Sequence, residues 1–93
     1  MELKDTIEAM NSGSFKERMK AEYWQTKIRY EKLKEFNNGI EAEERMKADG
    51  RPAEHYVHTC PSSILREQQA IIGQYLHILE VRAKMENIDL KSI

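Results

Sequence analysis

The chain has 93 residues, 33% of them charged and 40% hydrophobic, with four glycines and two prolines. That suffices for one small domain of helices, and no twenty-residue apolar run is present to cross a membrane. A net charge of −1 at neutral pH excludes the strongly basic footprint of a duplex-DNA binder.

The charge is unevenly placed. Residues 15–37 hold seven Lys/Arg against four Glu, a local +3, while residues 1–14 and 38–60 each carry −2. That gradient favours an anionic small ligand or an acidic partner near the first long helix. Cys60 is the single cysteine, so an internal disulfide is impossible and a reducing cytosol suits the chain. The acidic start, Met1 to Met10, lacks the apolar core of a secretory signal.

Leu3, Ile7 and Met10 have the 3–4 spacing of a short amphipathic helix over residues 3–10, which Asn11-Ser12-Gly13 stops. Ser14 and Glu17 form a capping box, hydroxyl to amide and carboxylate back to amide. A long helix is predicted over 15–36, ended by Asn37-Asn38-Gly39, with Gly39 in the left-handed capping conformation. Phe15, Met19, Tyr23, Thr26, Tyr30 and Leu33 fall on one arc of about 80° and form its core face. Ala21, Trp24 and Ile28 lie on the other side, where a Trp–Ile patch needs cover. The short first helix is expected to supply it, a neighbouring subunit being the alternative.

Residues 37–60 read as a helical and loop linker. Ile40 to Ala48 is charged but helix-compatible, Asp49-Gly50-Arg51-Pro52 is a turn, and Ala53 to Thr59 is a loop that buries Tyr56 and Val57. Pro61 then opens a second long helix over 61–87, placed where its missing amide costs nothing. Ile88, Leu90 and Ile93 form an apolar tail that packs back.

This second long helix carries the most informative pattern in the chain. Ile64, Ile71, Ile78 and Met85 recur every seven residues beside a parallel ladder of Leu65, Ile72 and Leu79. With Leu76 and Ala83 they fill an apolar arc of roughly half the helix circumference. A helix resting on one partner needs a stripe only slightly wider than ~100°. Cover from two sides is therefore expected, and a chain this short has few elements to provide it. The predicted fold is all-α: a long antiparallel helical hairpin with a short N-terminal helix, assembled as a homo-oligomer.

Catalysis and metal binding find little support. His55, His58 and Cys60 are zinc-ligand types at close spacing, but a closed site needs four ligands and no fourth follows. Cys60 at a helix start lacks the cleft, oriented base and oxyanion hole of a hydrolase. Neither a Gly-rich phosphate loop nor a Ser elbow occurs. The expectation is a non-enzyme with no catalytic residue, no metal and no cofactor.

Binding chemistry is better represented. Tyr23, Trp24, Lys27, Arg29, Tyr30 and Lys34 interleave aromatic faces that stack bases with cations that pair with phosphate. Lys20, Trp24, Lys27 and Arg29 are the candidate ligand-binding residues: cations for phosphates, and Trp24 for a base. A thin hairpin cannot enclose a ligand, so the pocket is expected between subunits.

Two blocks also carry a resemblance. Phe15-Lys16-Glu17-Arg18, Ala21-Glu22-Tyr23-Trp24-Gln25 and Lys27-Ile28-Arg29-Tyr30-Glu31-Lys32-Leu33 form the first. Cys60-Pro61, Glu67-Gln68, Tyr75-Leu76, Ile78-Leu79-Glu80, Arg82-Ala83 and Ile88-Asp89-Leu90 form the second. They are similar to a family of small phage and prophage proteins of gut bacteria known only as related to a crAss-like phage gene product. The resemblance spans Phe15 to Leu90 and implies phage origin and a helical hairpin, with no established activity. In architecture the chain also resembles oligomeric helical-hairpin sponges that sequester the cyclic nucleotide signals of bacterial immunity. The function so implied is counter-defence in the host cytoplasm, by sequestering a nucleotide-derived signal of the cyclic nucleotide or ADP-ribose type. Alternatives are a protein-binding inhibitor of a host defence effector, docking through Trp24/Ile28 or the charged segment 40–48, and a virion accessory protein.

Overall fold

The computed structural model describes residues 2–11, 13–53 and 55–91. Ser12 of the expected stop and Ile93 of the expected tail lie outside the described residues. A 3-10 turn, Leu3–Thr6, leads into α1 (Ile7–Met10), followed by α2 (Phe15–Ala48) and α3 (Ser62–Met85). The described residues contain helices and no strand. Contacts between Asn37 and Leu65, and between Trp24 and Leu90, show that α2 and α3 run antiparallel.

α2 does not stop at Asn37-Asn38-Gly39 as the sequence predicts; it continues to Ala48, a span of 34 residues. Tertiary contacts outweigh the local stop signal. Asn37 is buried and its amide nitrogen donates to the Leu65 carbonyl at 3.0 Å and to Gln69 Oε1 at 2.9 Å. It therefore ties α2 to α3 instead of capping. Gly39 is required by a close approach: a Cβ there would lie 2.2 Å from Cζ of Tyr56. The Tyr56 ring also packs edge-on against Phe36, with centroids 5.5 Å apart.

The actual C-terminus of α2 is a Schellman motif. Gly50, at φ 79°, donates to Lys47 O, and Arg51 donates to Met46 O at 2.9 Å. Glu43, projecting from the added turns of α2, accepts the amides of His55 at 2.6 Å and Tyr56 at 3.1 Å. The expected helical linker over 37–60 thus reduces to a loop held by one carboxylate and one ring. Val57, expected to be buried, is 84% exposed.

Gly39→Ala is expected to destabilise the protein even though Ala is the better helix former by ~1 kcal/mol. The added methyl displaces the Tyr56 ring, whose packing contributes about 2 kcal/mol. In a Tyr56→Ala background the same substitution should become stabilising. Urea unfolding midpoints of the four proteins check this, and the same sign in both backgrounds would refute it.

α3 begins at Ser62, with Pro61 as its N-cap at ψ 143°, one residue later than predicted. It ends at Met85, not at 87, because Asn87 takes the left-handed conformation, φ 56°. Ile88 then donates back to Ala83 O at 2.8 Å, a second Schellman closure. That reversal folds Ile88 and Leu90 onto the hairpin. The core consists of Met19 and Tyr23 from α2 with Leu76, Leu79, Ala83 and Ile88, joined by Trp24, Tyr30, Ile72 and Leu90. Phe15, assigned to the core face, is half exposed because it stands at the first turn of α2 beyond the end of this cluster.

The apolar arc of α3 divides cleanly. Leu79 is 1% exposed, and Leu65 and Ile72 are partly buried against α2. Ile64, Ile71, Ile78 and Met85 form an uncovered ridge, at 53%, 57%, 54% and 77% exposure. Elongation accompanies this. The radius of gyration is 16.9 Å, against about 12 Å for a compact domain of this length.

Candidate functional site

Two open grooves flank the hairpin, and three of the four residues expected to bind ligand are divided between them. On one side, Trp24 and Lys27 line a groove of about 440 Å³ with Tyr23, Glu80, Lys84 and the C-terminal tail. The Trp24 indole donates from Nε1 to the Leu90 carbonyl at 2.5 Å and stands edge-on to Tyr23, with centroids 5.5 Å apart. The tail therefore packs on Trp24, and the short N-terminal helix expected to cover that side also lies against α2, through the Thr6–Gln25 contact. A residue whose tail contact is 66 positions away gives no local signal of it. Lys27 approaches Glu31 at 3.9 Å. Lys20, only 12% exposed at its side chain, pairs with Glu17 at 3.2 Å and lines neither groove.

Arg29 faces the opposite side. There a groove of about 480 Å³ lies between α1, the first half of α2 and the last turns of α3, lined by Met10, Phe15, Arg18, Met19, Glu22, Gln25, Thr26, Arg29 and Arg82. Arg18, Glu22, Gln25 and Arg29 follow one another at spacings of four, three and four, which places them in one row along α2. α1 builds the outer wall. In its preceding turn the buried Thr6 hydroxyl donates to Leu3 O at 2.7 Å, and Thr6 Oγ1 accepts from Gln25 Nε2 at 2.9 Å.

From α3, Arg82 sets its guanidinium 5.7 Å from the centre of the Phe15 ring and pairs with Glu86 at 3.6 Å. The Tyr75 hydroxyl donates to Glu22, which holds Tyr75 above its ordinary pKa, with burial adding to the effect. Tyr23 is also raised, chiefly by burial and then by the Glu80 carboxylate. Sequence reading missed Arg18 and Arg82. The row along α2 carries a recoverable signal for Arg18, whereas Arg82 joins it only through the hairpin.

Among the described residues no group of three or more His, Cys, Asp and Glu is arranged to hold a metal ion. In the loop, His58 Nδ1 lies 2.5 Å from Cys60 O, and His55 stacks edge-on against Tyr56. Both are loop-building contacts. Among the described residues no helix is long and apolar enough to cross a membrane.

A protein-family model, Sequestin, matches residues 13–85, from the residue before the Ser14 cap through the last residue of α3. The chain belongs to the Sequestin family. The match covers the whole hairpin, both grooves' α2 and α3 walls and the exposed ridge. The family's name points to a sequestering protein, hence to binding of some ligand and not to catalysis. No curated protein and no solved structure matches the chain.

Proposed function

We propose that this Sequestin-family chain is a non-enzymatic, self-associating sponge that binds a nucleotide-derived immune signal, of the cyclic nucleotide or ADP-ribose type, without turning it over. Its setting would be a phage-infected bacterium, where removing the signal in the host cytoplasm disarms a defence pathway. The phage setting is proposed from the resemblance of the two blocks described above. The observation that carries the sequestering part of the reading is the family match over residues 13–85.

Three structural features support it. Cationic and aromatic side chains line both grooves, as phosphate and base recognition require. Each groove stands open on one side, so a second subunit can complete it. The isoleucine ridge of α3 supplies a surface for such association.

Isothermal titration against a panel of cyclic dinucleotides, cyclic trinucleotides and ADP-ribose derivatives tests the proposal. Heat with one class, and recovery of the intact ligand after denaturation, is the expected result. No heat with any member removes the nucleotide reading. For the rival, an inhibitor docking a host protein through Trp24/Ile28 or the charged segment 40–48, the C-terminal tail packs on Trp24 and leaves the charged segment as the more open of the two surfaces.

A further inference from the structure

We infer that the groove bearing Arg18, Arg29 and Arg82 is the anion seat, and that its ligand carries two phosphate groups. The inference deepens the sequestering proposal and rests on it for the nucleotide part of the ligand; the phosphate part rests on the groove alone. Three guanidiniums and one carboxylate, Glu22, line this groove, and Arg82 is also paired with Glu86 at 3.6 Å. The opposite groove mixes Lys27, Lys84 and Lys91 with Glu80 and Asp89. Arginine is the better phosphate clamp of the two, since its planar fork bonds two oxygens at once and is weakly hydrated.

The placement also sets the number of phosphates. Arg18 and Arg29 are eleven residues apart on one row, about 16 Å along the helix axis. Arg82 reaches the Arg18 end by crossing Phe15. Positive charge is therefore concentrated at two ends, with Gln25 and Thr26 between them to hydrogen-bond neutral groups. A single phosphate can satisfy one end only. Glu22, the adverse charge, accepts from the Tyr75 hydroxyl, which draws part of its field toward α3. Phe15 and Met10, each partly exposed, offer an apolar rest for a base. The volume, about 480 Å³, falls within the usual range for small-ligand sites.

Arginine Nε–Hε resonances of labelled protein, titrated with inorganic phosphate, which can occupy each end independently, test the seat directly. Arg18, Arg29 and Arg82 should shift together while Arg45, Arg51 and Arg66 stay in place. Absence of shifts at the first three overturns the inference, whatever else the protein binds. With the nucleotide that gives the largest heat in the panel, Arg29→Gln and Arg82→Gln should each weaken binding by roughly tenfold or more, and Lys32→Gln by no more than about twofold. Unchanged circular dichroism confirms that the variants fold. Loss with Lys84→Gln and none with Arg29→Gln assigns the ligand to the Trp24 side and overturns the inference, leaving the sponge intact. Phosphate-induced shifts at the three arginines with no heat from any nucleotide would support the anion seat and defeat the nucleotide reading.

Discussion

Leu79→Asp should abolish the cooperative melt or lower it far below that of the parent, with helical circular dichroism at 25 °C lost or much reduced. Leu79 is 1% exposed at the centre of the hairpin seam, in a cluster with Met19, Tyr23, Leu76 and Ala83. Replacing it forfeits about 2 kcal/mol of apolar burial. The new carboxylate then sits in an apolar seam without a partner, at a further cost of ~3–5 kcal/mol. A domain of 93 residues has only about 5–14 kcal/mol in hand. Leu79→Ala calibrates the site: it should fold, with a urea midpoint lowered by the equivalent of ~3 kcal/mol. If Leu79→Asp instead melts like the parent, the division of α3 into a buried and an exposed face is wrong.

That division was half legible in the sequence. The seven-residue ladders announced a helix too apolar for one partner, and its two stripes prove to face different ways. Leu65, Ile72 and Leu79 turn inward, while Ile64, Ile71, Ile78 and Met85 do not. Periodicity fixes angles around a helix axis but not which angle meets α2. The true seam is selected by small residues and one amide: Gly73, where a Cβ would lie 3.2 Å from Tyr30 Cε1, Ala83, and the buried Asn37.

The misplaced end of α2 has a similar cause. Asn-Asn-Gly is a strong local stop, and it is overridden because Asn37 finds partners on α3 and Gly39 makes room for a ring seventeen residues later. A glycine set by close approach and a glycine set by a turn look alike in a sequence. The terminal caps read differently, since their chemistry is local. Ser14 accepts from the Glu17 amide at 3.4 Å as its spacing predicts, and Gly50 stands in the left-handed conformation after Ala48. The candidate site was the least legible part. Lys20, Trp24, Lys27 and Arg29 are close in sequence but spread around α2, so the hairpin could place at most some of them in one groove.

Ile71→Asp/Ile78→Asp should have the opposite phenotype to Leu79→Asp: full helicity and a cooperative melt, but a monomer by light scattering where the parent protein is larger. Both side chains are more than half exposed, so an introduced carboxylate remains hydrated within one chain and costs little folding energy. The same charges on a face that meets a second copy are buried and placed close together. Two copies of α3 related by a two-fold axis and running antiparallel set Ile71 against Ile78 of the second copy and Ile64 against its Met85, a self-complementary arrangement. The neighbouring positions favour it, because Gln68, Gln74, Tyr75 and Val81 are uncharged and only Glu67 and Arg82 are not. The chain also exposes 6717 Å², whereas a compact protein of 11.0 kDa exposes about 5600 Å². The excess, roughly 1100 Å², is comparable with the ~800 Å² per partner that a stable interface covers. A parent protein that is already monomeric at micromolar concentration, or a doubly charged variant that keeps the parent's mass, would show that the ridge of α3 serves something other than a second copy.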